Sequence, residues 1–240
     1  MFVLPVSRAP VVLHAPSGHD EMLLAESQDD VSSRVDLVRR LAPPAADGMD
    51  WDSLPYVDVD AALLGLRQFL FGERMIAEIR CSNCNTWGDV EFSIAEYLKA
   101  KPPRVATERA PCRIPTVAQV VSALKLHGEA EAASRALEAE YAEHFSREES
   151  RRQNAALEKV APPLAGFVTG TCPQCAAGVS GWFDPGAFVI AELRRRAGML
   201  FEEIHLLASR YGWSEEAILS LPRSRRSTYA EMIAAEIGAQ

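Results

Sequence analysis

No apolar run among these 240 residues approaches the roughly 20 that a membrane-crossing helix needs. The opening Met1-Phe2-Val3-Leu4 is interrupted by Pro5 and Arg8 before it can serve as a secretory h-region, so a cytoplasmic protein is expected. Basic charge is also short: 25 Lys and Arg face 33 Asp and Glu, a net charge of -8. That balance argues against a protein whose task is to neutralise phosphates. His14, His19, His127, His144 and His205 show no HxH or HExxH spacing, and the glycines form no phosphate loop, GxGxxG or GxSxG elbow. No enzyme is nominated.

What is present begins with 48% hydrophobic and 24% charged residues, enough to build a buried core in one or two domains. Four of the five cysteines fall in two CxxC pairs, Cys81-Ser82-Asn83-Cys84 and Cys172-Pro173-Gln174-Cys175, which leaves Cys112 over. Dispersed positions would suit a disulfide framework, whereas paired CxxC knuckles suit a metal in a reducing compartment. A CxxC turn lets two thiolates reach one ion, and two such turns complete a tetrahedral shell. One structural Zn2+ held by Cys81, Cys84, Cys172 and Cys175 is the expectation; a redox dithiol or unrelated core cysteines are the alternatives.

The segments carrying the pairs look like two copies of one unit. Phe92 lies eight residues after Cys84 and Phe183 eight after Cys175, with Ser93 and Asp184 next in equivalent capping positions. Trp87 and Trp182 also fall between cysteines and phenylalanine, at different offsets. Short apolar runs lead into each pair, so each knuckle is expected on a β-hairpin.

Elsewhere helical periodicity dominates. Phe2 to Glu26 reads as two extended segments around a turn at Pro16-Ser17-Gly18, and Val31 to Leu41 as a short helix before Pro43-Pro44. Val59, Leu63, Leu66 and Leu70 share one face of a helix that Gly72 ends in a left-handed turn. Ser93 caps a helix through Leu98, and Thr116-Val117-Ala118-Gln119 is a capping box opening a helix that stops near Gly128. Ala133, Leu137, Tyr141 and Phe145 mark one face of a charged helix within Glu129 to Lys159.

From Gly186 the stripe Ile190, Leu193, Ala197, Leu200, Ile204, Leu207 and Tyr211 predicts one long helix facing a core, with an intermolecular coiled coil as the alternative. Ser214 caps a short helix through Leu219, and a last helix follows Pro222. The basic clusters, Arg194 to Arg196 and Arg223, Arg225 and Arg226, are balanced by glutamates over the same stretch and read as solvated helix faces. Leu207 to Ile218 has a helix-turn-helix outline, but bulky Tyr211 and Trp213 in the turn favour packing or protein contact over DNA.

Glu203 to Ala208, running into Tyr211-Gly212-Trp213-Ser214-Glu215, then Ile218 to Pro222, Arg225-Arg226 and Tyr229, resembles the baseplate hub or hub-assembly proteins of contractile-tailed phages of the T-even type and their relatives in phage-derived contractile injection systems. Cys172 to Cys175 with Trp182-Phe183-Asp184 is similar to that family's cysteine-bearing segment. Weaker echoes lie at Pro16-Ser17-Gly18, after Asp58 and at Pro115-Thr116-Val117, and the Tyr-Gly-Trp motif is also similar to phage tail assembly chaperones.

The resemblance implies a non-enzymatic protein that sits in a baseplate or helps a hub assemble, with baseplate or hub proteins as partners and incorporation in a phage or phage-like particle as one outcome. Its helices after Gly186 are then the expected contact surface, through Leu200, Ile204, Leu207, Tyr211, Trp213, Ile218, Arg225, Arg226 and Tyr229. The combined expectation is a mainly α protein with short β-hairpins (α+β), two zinc knuckles closing on one four-cysteine site, and a C-terminal helical unit. Its segments are 1–104 (β-rich start, helix, first knuckle), 105–165 (helical middle) and 166–240 (second knuckle and C-terminal helices). A zinc-ribbon regulator that binds nucleic acid through the Arg clusters is the alternative, and a thiol enzyme using the CxxC pairs comes after it.

Overall fold

A computed structural model describes residues 1–26, 30–101, 114–142, 148 and 163–238. The described chain is mostly helical, with three short antiparallel strand pairs and no sheet wider than two strands. It divides into two compact units, neither contiguous in sequence: Met1–Leu13 with Arg34–Gly186, and His14–Ser33 with Ala187–Gln240.

In the first unit, β1 (Phe2–Val3) pairs with β2 (Pro10–Val11), and the turn between them is held by Asp58, whose carboxylate accepts from the backbone N–H of Val6 (3.0 Å) and Ser7 (2.8 Å). Asp58 stands in the first turn of α3 (Val57–Phe71), the next α-helix after the expected α2 (Val31–Leu41). Val59 and Ala61 to Leu66 of that helix are all buried, a run too broad for one stripe, so α3 is the central helix of the unit. Gly65 lies against the Phe2 ring so closely that a Cβ there would come within 2.9 Å of it. Gly72 ends α3 at φ 86° but with ψ -176°, which carries the chain straight out into a strand and not into the expected left-handed turn.

That strand, β3 (Arg74–Arg80), pairs with β4 (Trp87–Ser93), and α4 (Ile94–Ala100) follows directly. Ser93 caps α4 through the Glu96 N–H, and the Glu73 carboxylate adds an acceptor for the Ala95 N–H at 2.5 Å. Glu73 is held below its ordinary value, first by the Ser93 hydroxyl and then by that amide. The capping box at Thr116 is formed in both directions and opens α5 (Val117–His127), which α6 (Ala130–Ala142) packs against. Apart from Glu148, the rest of the charged segment expected as a helix, with Phe145, lies outside the described residues, as does Cys112. The second hairpin, β5 (Gly166–Thr171) and β6 (Gly178–Phe183), completes this unit.

The second unit contains α1 (Gly18–Glu26), most of α7 (Pro185–Ala197), and α8 (Leu200–Tyr211), α9 (Glu215–Leu219) and α10 (Arg223–Gly238). Two expectations are corrected here. The stretch after Gly18 is a helix, not a second extended segment, because Ser17 and Asp20 cap it reciprocally: the Ser17 N–H donates to the Asp20 carboxylate (2.9 Å) and the Asp20 N–H to the Ser17 hydroxyl (3.3 Å). The long helix from Gly186 is two helices, broken at Gly198-Met199, where glycine removes the side chain that favours helical backbone. The apolar stripe nonetheless continues across the break, and Ile190, Leu193, Ala197, Leu200 and Leu207 are all buried within the chain. No helix of the described residues is long and apolar enough to cross a membrane.

Candidate metal centre

The two knuckles are the same local structure built twice. Cys81 and Cys172, Cys84 and Cys175, and Phe92 and Phe183 are each 91 positions apart, and the strand registers repeat at that offset: Arg80 pairs with Trp87, and Thr171 with Gly178. Between them runs a six-residue turn in which the first cysteine accepts from the residue after the second, Asn85 N–H to Cys81 O (2.9 Å) and Ala176 N–H to Cys172 O (3.0 Å). The first cysteine's own N–H closes the turn onto Thr86 O (2.9 Å) or Ala177 O (2.8 Å). Asn85 and Ala176 both take φ near +60°, a left-handed conformation unusual for residues with a Cβ, at 62° and 57°. That strained residue turns the chain back so that both thiols of each knuckle point the same way.

The hairpins pack in a mutual, two-fold-like manner, β3 against β6 and β4 against β5. A Cβ on Gly181 would lie 2.9 Å from the Ile79 side chain, and one on Gly170 would lie 2.8 Å from Val90. At the 91-residue offset these are the same contact seen from each side, with the large residue always on the first hairpin and the glycine on the second. Below this layer Phe92 and Phe183 meet edge to face at 5.2 Å, and Tyr97 packs on both. Lys101 donates to the carbonyls of Pro163 (3.2 Å), Leu164 (3.0 Å) and Ala165 (3.2 Å), fixing where the second hairpin begins.

This packing brings Cys81, Cys84, Cys172 and Cys175 together, all four sulfurs within 4.8 Å of one another. Two sulfur contacts cross between the knuckles, Cys81 to Cys175 at 3.7 Å and Cys84 to Cys172 at 3.6 Å. A tetrahedron of thiolates about 2.3 Å from a central ion has edges of about 3.8 Å, so the donor set fits one metal ion. Cys81 and Cys172 are buried, while Cys84 and Cys175 are half-buried. Asn83 crosses between knuckles to donate from Nδ2 to Cys175 Sγ at 3.4 Å.

The thiols are electrostatically unequal. The Thr86 hydroxyl and amide beside Cys84 draw its thiol down to about 6, and the Asn83 amide lowers that of Cys175. Backbone N–H groups of Cys175 and Gln174 favour the Cys172 thiolate, yet burial and its contacts with Cys84 and Cys81 outweigh them and hold the thiol up at about 11. Four thiolates this close repel one another, so all four ionise together only around a cation.

The nine residues expected at a partner surface separate into two groups. Leu207 and Ile218 form a core cluster with Ile233, against which Ile204 and Tyr229 pack, and Leu200 is also buried. Arg226 is fully buried: its guanidinium donates to Glu203 at 3.1 Å, to Glu21 and to the Leu221 carbonyl at 3.0 Å, while Arg223 also reaches Glu21 at 3.2 Å. These four side chains, Leu200, Leu207, Ile218 and Arg226, are therefore interior and present nothing to a partner. On the surface Tyr211 and Trp213 are 41% and 37% exposed and stack at 4.9 Å, with Tyr229 edge-on to Trp213 at 5.5 Å; Arg225 is exposed nearby in sequence.

Sequence reasoning missed Asn83, Gly170 and Gly181 as parts of the centre. Aligning the chain with itself at the 91-residue offset sets Ile79 against Gly170 and Val90 against Gly181, which is the signal that could have found the glycines. Glu21 as the counter-charge of Arg226 had no local signal, being 205 residues away. No family model, curated protein or solved structure matches this chain.

Proposed function

We propose that this chain is a non-catalytic structural or assembly protein, clasped by one structural zinc ion and working through protein–protein contact. The observation that carries the reading is the convergence of four cysteine sulfurs at tetrahedral spacing. Thiolates at this spacing suit zinc, and four of them fill its shell and leave no position for water or substrate, so the ion's contribution is to hold two chain segments together. The exposed Tyr211 and Trp213, backed by Tyr229, support the contact role, because exposed aromatic side chains are frequent anchors of protein interfaces.

The partners in this reading are baseplate or hub proteins of a contractile tail or injection machine, on the strength of the sequence resemblance around Tyr211-Gly212-Trp213. The nucleic-acid alternative has less support, since Arg226 is buried and Arg223 is engaged by Glu21. Two measurements test the proposal. Elemental analysis of the purified chain is expected to find one zinc per molecule, and Cys172→Ser to lose it and unfold at a temperature lower by about 10 °C or more. Full stability and full zinc in that variant would sink the clasp. Affinity purification from the native cell is expected to recover sheath, tube or baseplate proteins; recovery of polymerase or nucleic acid instead would overturn the assembly role.

A further inference from the structure

The sulfur geometry holds more than a coordination shell. Within a knuckle both thiols belong to one tight turn, and two sulfur contacts, at 3.6 and 3.7 Å, cross from one knuckle to the other. Each of these crossing pairs joins one half-buried thiol to one buried thiol: Cys84 to Cys172, and Cys175 to Cys81. A half-buried thiol can be reached by a small oxidant, and a buried one beside it is protected until its neighbour has reacted.

We propose that the cluster is a thiol-oxidation site in which Cys84 and Cys175 are attacked by a peroxide and Cys172 and Cys81 resolve them, so that two cross-knuckle disulfides replace the metal and the clasp stays closed. The proposal rests on the clasp reading only for the identity of the ion released. Cys84 Sγ, as thiolate, attacks one peroxide oxygen; the O–O bond breaks, hydroxide leaves and is protonated by solvent, and the sulfur becomes a sulfenic acid. The Cys172 thiolate attacks that sulfur, the S–O bond breaks and a second hydroxide leaves as water after taking a proton. Two thiolates lose two electrons to one peroxide, which becomes two waters. Cys175 and Cys81 consume a second peroxide in the same way, and the cation departs as its four ligands are used up.

Disulfides within each CxxC turn would have the opposite consequence, because each knuckle would close on itself and nothing covalent would replace the ion. The test therefore asks which cysteines pair. The full-length, zinc-loaded chain is treated with hydrogen peroxide, zinc release is followed with a metallochromic dye, and the product is digested under non-reducing conditions for mass spectrometry. The expected product is the Cys81/Cys84 peptide joined to the Cys172/Cys175 peptide, with one zinc released for two disulfides and reversal by a dithiol reductant. Separate peptides each lighter by two hydrogens, sulfinic acids as the main product, or no oxidation would each overturn the proposal.

Pairing between specific sulfurs is read from two double variants. Cys81→Ser with Cys175→Ser leaves the cross-knuckle pair Cys84 and Cys172, and is expected to cross-link about ten-fold faster than Cys172→Ser with Cys175→Ser, which leaves the within-knuckle pair Cys81 and Cys84. Equal rates or the reverse order would overturn the cross-knuckle pairing, and peptide mapping of the unsubstituted chain decides if either variant fails to fold. Metal content measured before oxidation keeps the two readings apart. A metal-free chain that still forms cross-knuckle disulfides counts against the zinc clasp alone, and a zinc-loaded chain that forms within-knuckle disulfides counts against the oxidation site alone.

Discussion

At the scale of single residues, the packing of the two hairpins depends on what is missing at Gly170 and Gly181. A side chain at either would run into Val90 or Ile79 on the facing hairpin. Gly181→Val is expected to destabilise the protein by about 1 to 3 kcal/mol and to weaken metal retention, while adding Ile79→Ala should recover part of both; a chelator-competition assay and urea unfolding check this double-mutant cycle.

Asp60 offers a second residue-level prediction. Burial raises its carboxyl to about 6, against the opposing pull of Arg34, and its Oδ1 is buried without a hydrogen-bond partner. In the unfolded chain the group ionises near 4, so between those values the folded state keeps a proton that the unfolded state gives up. Its contribution to stability is full below about 4 and is lost as pH rises through about 6. Asp60→Asn should therefore unfold at higher urea than the parent at pH 8, by about 1 to 3 kcal/mol, with the gain falling away as pH drops from about 6 to about 4. A constant gain at all pH values would contradict the assignment.

At the scale of elements, what the sequence made legible is local chemistry. The Thr116 capping box, the Ser93 and Ser214 caps and the two CxxC hairpins could be read because each signal lies within a few residues of the structure it directs. Thr116→Ala is expected to cost about 1 kcal/mol, measured by thermal unfolding, because it frees a backbone donor at the start of α5. Periodicity was less faithful. The stripe from Ile190 to Tyr211 keeps its spacing across the break at Gly198-Met199, since the same side of the unit needs apolar residues before and after the turn. An apolar pattern records which face is buried, and a single glycine decides whether the backbone under it is continuous. The stretch after Gly18 shows the reverse: Pro16 and Gly18 are strong turn signals, while the helix start is set by the weaker Ser17-x-x-Asp20 cap that overlaps them.

At the scale of the whole molecule, the part that sequence could not disclose is which distant segments share a unit. Residues 14–33 fold with 187–240, and the group that ties them is Arg226, fully buried between Glu21 of α1 and Glu203 of α8. Glu21 is raised by burial even with Arg226 and Arg223 opposing it, so the carboxylate depends on these cations to stay ionised. Arg226→Met should destabilise the protein by about 3 to 5 kcal/mol, because two buried glutamates lose their counter-charge, and combining it with Glu21→Gln and Glu203→Gln should restore much of the loss. Equilibrium unfolding by urea is the measurement. Buried hydrophobics are spread along the sequence and advertise their own burial; a buried charge pair spanning 205 residues does not, because each partner alone looks like a surface residue.

The two knuckles, set 91 positions apart, also give the proposed clasp a topological consequence. In the clasp reading an ion held by all four cysteines bridges Cys84 to Cys172, so the chain between them is closed into a ring by the ion as well as by the packing of the two hairpins. A ring tolerates a cut that a line does not: a protease that nicks the chain once between the knuckles leaves two pieces that the bridged cysteines still join, and a chelator leaves only the packing of the hairpins to hold them.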